Sequence, residues 1–448
     1  MKADGYILVY NPISNEGHLD SWHVLFIQLL RKDGWRVIAL SADPFSLEAK
    51  LAAKGFSVSD DLIVFRAQPG TTTRPSLLRQ AWQSLNTQFD KACYQPRPAT
   101  LGQYLKRAGL LLAHSIMDKV HSLYRDLKQS VKPSLAHAQQ TESVLAPAHF
   151  AAAVNEGIAQ YPGQVSKVLN MYVDAYRVDP AAWQNFSFSE DIPWSAVCIT
   201  PSAEPVEAYY QLPSYLGTCF LDELVCDHYQ RALPTRHFEY LPDITEVDLP
   251  AQLTALAQQI TKQAAGRKIV FMGGSIGKQK NLVAWYDLIR SVDSNRWFFV
   301  QIGRINRNNL TEADQLALDG IVVDHPANLM IYPDYLPDER EFNEVIALAD
   351  VIFAVYRDFS RSSNMLSKAA YFEKPILVSD AYLMGDRVRR YKIGLAVKED
   401  DVESIRVGLI ALETIPNLDA NFEAYRRDFN LEVAGQRLSR FIQIGLTE

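Results

Sequence analysis

The chain has 448 residues, 48% of them hydrophobic and 22% charged. That length exceeds one ordinary core and fits two domains of about 200 residues each, and the composition is that of a soluble globular protein. Its 45 Lys and Arg against 52 Asp and Glu leave a formal charge of −7, which argues against a general nucleic-acid binder, because phosphate contacts need an excess of cations.

Cys93, Cys198, Cys219 and Cys226 are irregularly spaced and form no close metal-binding pairs, so they read as reduced packing residues in a cytoplasmic protein. Met1-Lys-Ala-Asp runs straight into Tyr6-Ile-Leu-Val-Tyr10, leaving no room for a signal peptide. No apolar run approaches the ~20 residues that span a bilayer. The expected location is the cytoplasm.

The run 6–10 is short and continuously apolar, which suits a parallel strand covered on both faces. Asn11-Pro-Ile-Ser-Asn-Glu-Gly17 is turn chemistry. Trp22, Leu25, Phe26, Leu29 and Leu30 recur at helical spacing, Gly34 ends that helix, and 35–40 is the next strand. This βαβ unit predicts a parallel sheet, to which 62–65 adds a third strand.

From 74 to 160 the pattern is helical and long. Leu105, Leu112, Ile116, Leu123 and Leu127 share a face, and Lys106, Arg107, Lys119, Arg125, Lys128 and Lys132 outnumber Asp118 and Asp126. Two readings stand for 101–135: a core-packing helix with a solvated basic flank, or a surface that meets anionic lipid or a charged acceptor at the inner membrane face.

Strands resume at 167–173, 196–200 and 216–221. The Pro- and acid-rich stretch 241–250 reads as a linker. A second alternation follows, with strands at 268–272, 297–302, 329–331, 351–355 and 376–378 and helices at 282–292, 311–318, 339–348 and 365–372. The expected division is a first Rossmann-like domain over 1–245 with a helical insertion at 74–160, a second over 246–420, and an amphipathic tail helix over 421–448 that crosses back to the first.

The stretch from Arg361 to Asp380 carries the most chemistry. Val351-Ile-Phe-Ala-Val355 leads into a loop with Ser362, Ser363 and Asn364, and then into a helix start at Met365. Loop hydroxyls and free backbone N–H groups at the carboxyl end of a buried strand suit an anion, and a diphosphate is the obvious occupant.

The order of motifs narrows the class. Phe271-Met-Gly-Gly-Ser-Ile-Gly-Lys-Gln-Lys-Asn-Leu282 is followed by Ile302-Gly-Arg304, Tyr332-Pro-Asp-Tyr-Leu-Pro337, Ala347-Leu-Ala-Asp350 and the 361–380 stretch. This succession resembles the nucleotide-sugar-binding half of GT-B glycosyltransferases, the retaining family four group in particular. Asn15-Glu-Gly-His18 and Leu30-Arg-Lys-Asp-Gly-Trp-Arg-Val37 are similar to that fold's first loop and helix. The resemblance implies an α/β GT-B fold, with two Rossmann-like domains whose parallel sheets face a central cleft. It also implies transfer of a sugar from a nucleoside diphosphate sugar to a hydroxyl acceptor: a saccharide, a glycolipid or a small molecule. No cofactor beyond the donor and no metal is implied.

Carried over residue by residue, the resemblance gives a donor site. Gly273, Gly274 and Ser275 let backbone approach a phosphate, and Lys280 takes the place of the diphosphate-binding lysine, with Lys278 its local competitor. The family's arginine near position 274 is missing, and Arg304 or Arg307 is the substitute. Tyr335 and Leu336 fall where the nucleobase packs, and Ser362, Ser363, Asn364 and Met365 form the phosphate-binding helix start.

The family's two glutamates, seven residues apart, fall on Arg361 and Lys368, so both acidic positions are basic. Bracing of the phosphates is the expected use of these two cations. The usual carboxylate is then unavailable, and the stereochemistry stays open. For an inverting reaction the base would be His18 or Asp174, with His114 and His121 weaker candidates. Two alternatives remain: a catalytically inactive GT-B-shaped binding or assembly subunit, and a nucleotide-sugar epimerase or phosphorylase of the same fold.

Overall fold

The computed structural model describes residues 5–13, 19–67, 145–176, 180–415 and 418–446. Among these, β1 (Tyr6–Asn11), β2 (Arg36–Ser41), β3 (Leu62–Arg66), β4 (Val165–Asn170), β5 (Trp194–Cys198), β6 (Tyr215–Phe220) and β7 (His237–Tyr240) form one sheet in the order β3-β2-β1-β4-β5-β6-β7. A second sheet contains β8 (Lys268–Gly273), β9 (Trp297–Ile302), β10 (Leu329–Tyr332), β11 (Val351–Ala354), β12 (Ile376–Ser379) and β13 (Gly394–Val397), in the order β10-β9-β8-β11-β12-β13.

Every pairing between these strands is parallel. Helices cover both faces of each sheet, which is why β1 and β9 are buried along their whole length and read as nearly continuous apolar runs, broken only by Asn11 and Gln301. Each sheet winds outward from its central strand and then returns to that strand's other side. The crevices beyond the carboxyl ends of β1 and β4, and of β8 and β11, are therefore the two switch points.

Strands 62–65, 297–302 and 376–378 fall where the sequence puts them, within a residue or so. Two edge strands escape it. His237–Tyr240 alternates polar and aromatic residues over only four positions, and Gly394–Val397 opens on a glycine. The helices Pro44–Ala53, Glu223–Ala232, Ala255–Ala264, Tyr382–Tyr391 and Val402–Leu412 are also additions.

The tail is two helices rather than one. Asp419–Asp428 ends at Phe429, and Asn430 caps Leu431–Gln443 by accepting from the Val433 N–H at 2.9 Å. Phe422, Tyr425 and Phe429 pack in the core of the second sheet, whereas Ala434, Leu438, Phe441 and Ile442 pack in that of the first.

The part of the expected insertion up to residue 144 lies outside the described residues, and with it the basic segment 101–135, His114, His121 and Cys93. The remainder forms the helix Pro147–Gln160, whose Phe150, Val154 and Ile158 join the first sheet's core. Among the described residues no helix is long and apolar enough to cross a membrane.

One lysine fixes the last helix. Lys167 on β4 is fully buried, and its ammonium donates to the carbonyls of Phe441, Ile442 and Ile444 at 3.0, 3.2 and 2.9 Å. These are carbonyls that a helix end leaves without intrahelical donors. Burial pushes the Lys167 ammonium down to about 7. The unfolded chain keeps that proton to about pH 10, so between these values the unfolded state binds more protons and the lysine's contribution to stability rises with pH. Lys167→Met is expected to remove that slope and to cost about 2 kcal/mol at the alkaline end, where carbonyls lose their donors. Urea unfolding at a series of pH values checks this, and parallel slopes in the two proteins would refute it.

Candidate functional site

The loops that leave the carboxyl ends of β8, β9, β10 and β11 meet at the second switch point. The first two are pressed together. Gly303 has φ +135°, and a Cβ there would stand 1.8 Å from the Gly274 carbonyl oxygen. Gly274 itself has φ +98°, so neither place admits an ordinary side chain. The Gly274 N–H donates to Ile302 at 3.0 Å and the Ile276 N–H to Arg304 at 2.9 Å, which carries the strand pairing past the sheet edge. Ser275, at the tip, is exposed.

Lys280 folds back under this turn. Its ammonium donates to the Gly273 carbonyl at 2.7 Å and to the Tyr356 hydroxyl at 2.8 Å, and it stands 4.1 Å from the centre of the Tyr356 ring. Tyr356 packs edge-on against Phe359, with ring centres 5.1 Å apart, and the Arg361 guanidinium stands 5.5 Å from the Phe359 ring. A continuous row thus runs from the β8 turn to the loop after β11.

At the end of that row Ser363 caps the helix Asn364–Tyr371, its hydroxyl accepting from the Met365 N–H at 3.3 Å. The positive end of the helix faces the loop. Asn364 is half-buried beside it, while the Met365 side chain points into the core of the second sheet. Only the backbone of Met365 is available at the helix start.

Arg304 and Tyr335 form the opposite wall. The Arg304 guanidinium lies 5.8 Å from the Tyr335 ring, and Tyr335 is 42% exposed. Burial pushes the Tyr335 hydroxyl up, and the charges of Glu339 and Asp20 add to the shift. Asp20 belongs to the helix Leu19–Lys32 on the first sheet, so Tyr335 stands on the side that faces the first half. Leu336, expected beside a nucleobase, has its side chain in the second sheet's core.

The cations of these loops sort into two groups. Arg307 pairs with Asp319 at 2.9 Å and Arg357 with Asp314 at 3.1 Å. Lys278, Lys280, Arg304 and Arg361 have no carboxylate within ion-pair distance among the described residues. A loop cluster with this positive charge, two permissive glycines and a helix N-terminus has the chemistry to accept an anion. The sequence brings Gly273, Gly274, Ser275, Lys280, Arg304, Tyr335, Arg361, Ser362, Ser363 and Asn364 to this one face.

Two expected roles are corrected. Lys368 is 0% exposed and does not reach the loops. Its ammonium donates to the Glu339 carboxylate at 2.6 Å, to the Glu246 carbonyl at 3.2 Å and to the Asn343 side chain. It holds the segment that joins the two sheets, so its charge is spent on Glu339 and not on a phosphate. Asp174 is an anchor for the loop after β5: its oxygens accept from the Ile199 N–H at 2.9 Å, the Thr200 N–H at 2.7 Å and the Thr200 hydroxyl. Both of its oxygens are thus engaged in holding that loop. His18, the other expected base, lies outside the described residues.

Tyr356, in the site, and Arg387, behind its last loop, were not singled out from the sequence. Tyr356, which holds Lys280, follows an apolar strand directly, and an aromatic at that place was a usable signal. Arg387 was also legible. It falls on the apolar face of its helix with Leu383, Met384 and Val388, where a charge must have a buried partner.

No protein-family model matches the chain, and no curated protein matches it in sequence. Solved structures do match in shape. A glycosyltransferase from Rickettsia africae ESF-5 superposes with a TM-score of 0.61 at 11% identity, covering 99% of both chains. HepE from Anabaena, solved with UDP and glucose, gives 0.59 at 10% identity over 98% of this chain and all of its own. Sucrose-phosphate synthase from Thermosynechococcus elongatus gives 0.59 at 13% identity over 99% and 100%. The chain has the GT-B fold. At these identities the likeness speaks for architecture and not for a reaction.

The Lys368 assignment makes a prediction about stability. Removing one member of a buried ion pair costs about 3–5 kcal/mol, because the other is left uncompensated. Lys368→Ala is expected to destabilise by that order in urea unfolding. Lys368→Ala combined with Glu339→Gln should recover part of the loss, since the stranded carboxylate is then gone. A single variant as stable as the wild type would show that the pair is not formed.

Proposed function

We propose that the protein is a glycosyltransferase that takes its sugar from a nucleoside diphosphate sugar and moves it to a hydroxyl acceptor held against the first half. The observation that carries this reading is the cluster of cations that have no carboxylate partner among the described residues, Lys280, Arg304 and Arg361 above all, on the loops of a GT-B fold's second sheet. The solved HepE complexes with UDP, with UDP and glucose, and with UDP-glucose support a nucleotide-sugar donor, and the WaaG structure, described as a glycosyltransferase of lipopolysaccharide biosynthesis with a TM-score of 0.53, fits a saccharide or glycolipid acceptor.

In this reading the donor's diphosphate lies over the Gly273–Gly274 turn and against the start of the helix Asn364–Tyr371. Lys280 is already oriented by the Gly273 carbonyl and the Tyr356 hydroxyl, so little side-chain freedom is lost when the anion arrives. Arg361 and Arg304 add charge from either side. As the glycosidic bond to the diphosphate breaks, negative charge builds on the leaving oxygen, and fixed cations there lower the barrier. The base stacks on Tyr335. Counter-charge from side chains suffices for a metal-independent reaction, and chelation with EDTA is expected to leave turnover unchanged.

A second reading has one specific observation behind it. The two acidic positions of the family motif are Arg361 and the sealed Lys368, so the chain could bind a nucleotide without transferring a sugar. A donor panel assayed for hydrolysis and transfer separates the two, because nucleotide binding without any turnover belongs to the inactive subunit.

Lys280→Ala is expected to weaken binding of nucleoside diphosphate, or to slow turnover, at least about tenfold, equivalent to 1.4 kcal/mol. Lys278→Ala, on an exposed lysine of the same turn, should change it far less. Thermal shift across UDP, GDP and ADP followed by calorimetric titration measures both. Equal affinity of Lys280→Ala and wild type would remove the site.

A further inference from the structure

The helix Tyr382–Tyr391 carries a buried arginine that the donor site does not by itself require. Arg387 is 1% exposed and lies between the two halves. Its Nη1 donates to Ser362 Oγ at 2.6 Å, on the donor loop. Its Nη2 donates to the Leu221 carbonyl and to Glu223 Oε2, both at 2.8 Å, at the carboxyl end of β6 in the first half. The guanidinium lies 4.8 Å from the Phe429 ring, and Nη2 stands 3.4 Å from the Tyr240 hydroxyl.

The direction of the Ser362 bond is not in question. A guanidinium has donors only, so Ser362 Oγ must accept. The hydroxyl's own hydrogen is then left over, and the structure gives it no acceptor among the described residues. Ser362 stands immediately before the cap residue of the helix Asn364–Tyr371, on the loop where the anion would sit. A full positive charge 2.6 Å behind the oxygen strengthens that hydroxyl as a donor.

We propose that Arg387 is a positioning residue: it turns the Ser362 hydroxyl toward the diphosphate and ties that hydroxyl to Leu221 and Glu223 of the first half. The proposal rests on the donor site described under the proposed function. Its consequence is that Leu221 and Glu223 of the first half influence the affinity for the diphosphate through Arg387. Loss of the Glu223 charge loosens one end of the guanidinium, and Ser362 at the other end loses its fixed orientation.

A double-mutant cycle on the full chain tests this. Whichever of UDP, GDP and ADP binds wild type tightest is titrated calorimetrically into wild type, Glu223→Gln, Ser362→Ala and the double variant, with urea midpoints confirming that each is folded. Glu223→Gln is expected to weaken binding about fivefold in the wild-type background and not at all in Ser362→Ala, the sign of coupling through the hydroxyl. Ser362→Thr, which keeps a hydroxyl, should restore the sensitivity to Glu223→Gln. Glu223→Gln binding as tightly as wild type, or weakening binding equally in both backgrounds, would overturn the role of Arg387 and leave the donor site standing. Failure of wild type to bind any of the three would remove the donor site and this inference together.

Discussion

Positive charge buried inside the protein needs partners, and here they come from distant parts of the chain. Arg387 needs Ser362 from one half and Leu221 with Glu223 from the other. Lys368 needs Glu339 and Asn343 from the second half and the Glu246 carbonyl from the joining segment. Lys167 needs the end of a helix that starts more than two hundred residues later in the chain. An uncompensated charge at any of these places costs several kcal/mol, a large part of the ~5–15 kcal/mol that holds a typical domain folded.

Ion pairs on the surface cannot play this part. Arg290 with Asp324 and Lys268 with Asp350 are formed, but all four side chains are more than a third exposed, and such pairs contribute about 0–1 kcal/mol. The joining segment is held differently. Beyond Lys368, the Ser367 hydroxyl donates to the Asp243 carbonyl at 2.6 Å, Asn343 to the carbonyls of Glu246 and Asp248 at 3.1 and 3.0 Å, and the Trp22 indole to Ile244 at 3.2 Å. A stretch without regular structure has no ladder to satisfy its carbonyls. Side chains of both halves supply the donors, so the Pro- and acid-rich run that reads as a linker is a fastened one, with Leu241, Asp243 and Ile244 buried.

What could be read from the sequence was what depends on neighbours in the chain. Parallel strands buried on both faces announce themselves as apolar runs, and the glycine turn before Lys280 and the hydroxyl loop before Met365 follow from local geometry. The fate of Lys368 could not be read. Its partners Glu339 and Glu246 lie 29 and 122 residues away, and nothing in Lys368-Ala-Ala-Tyr says whether that side chain turns to the cleft or to the joining segment. Asp174 fails for the same reason, since its partners are 25 and 26 residues on. Arg387 is the intermediate case: its helix was not assigned from the sequence, although Leu383, Met384 and Val388 share a helical face with it, and only the fold shows that its partners come from both halves.

Arg361 and Lys368, the two cations expected to act together, therefore part company, and this bears on the proposed chemistry. Lys368 is neutralised and sealed, so it stabilises the frame and adds no field to the cleft. Arg361 keeps its charge near the loop, where a cation favours the departing diphosphate and disfavours a cationic sugar-like transition state at close range. Which effect dominates depends on distance, because the interaction of unit charges falls as 1/r at a given screening. Arg361 leans on Phe359, in the row that ends at Lys280, so it sits with the diphosphate cations and not apart from them. Its net effect in the proposed site is then leaving-group stabilisation. In the proposed transferase the rate would then come from departure of the diphosphate more than from a carboxylate beside the sugar, with Lys280 and the helix start next to that charge and Arg387 orienting Ser362.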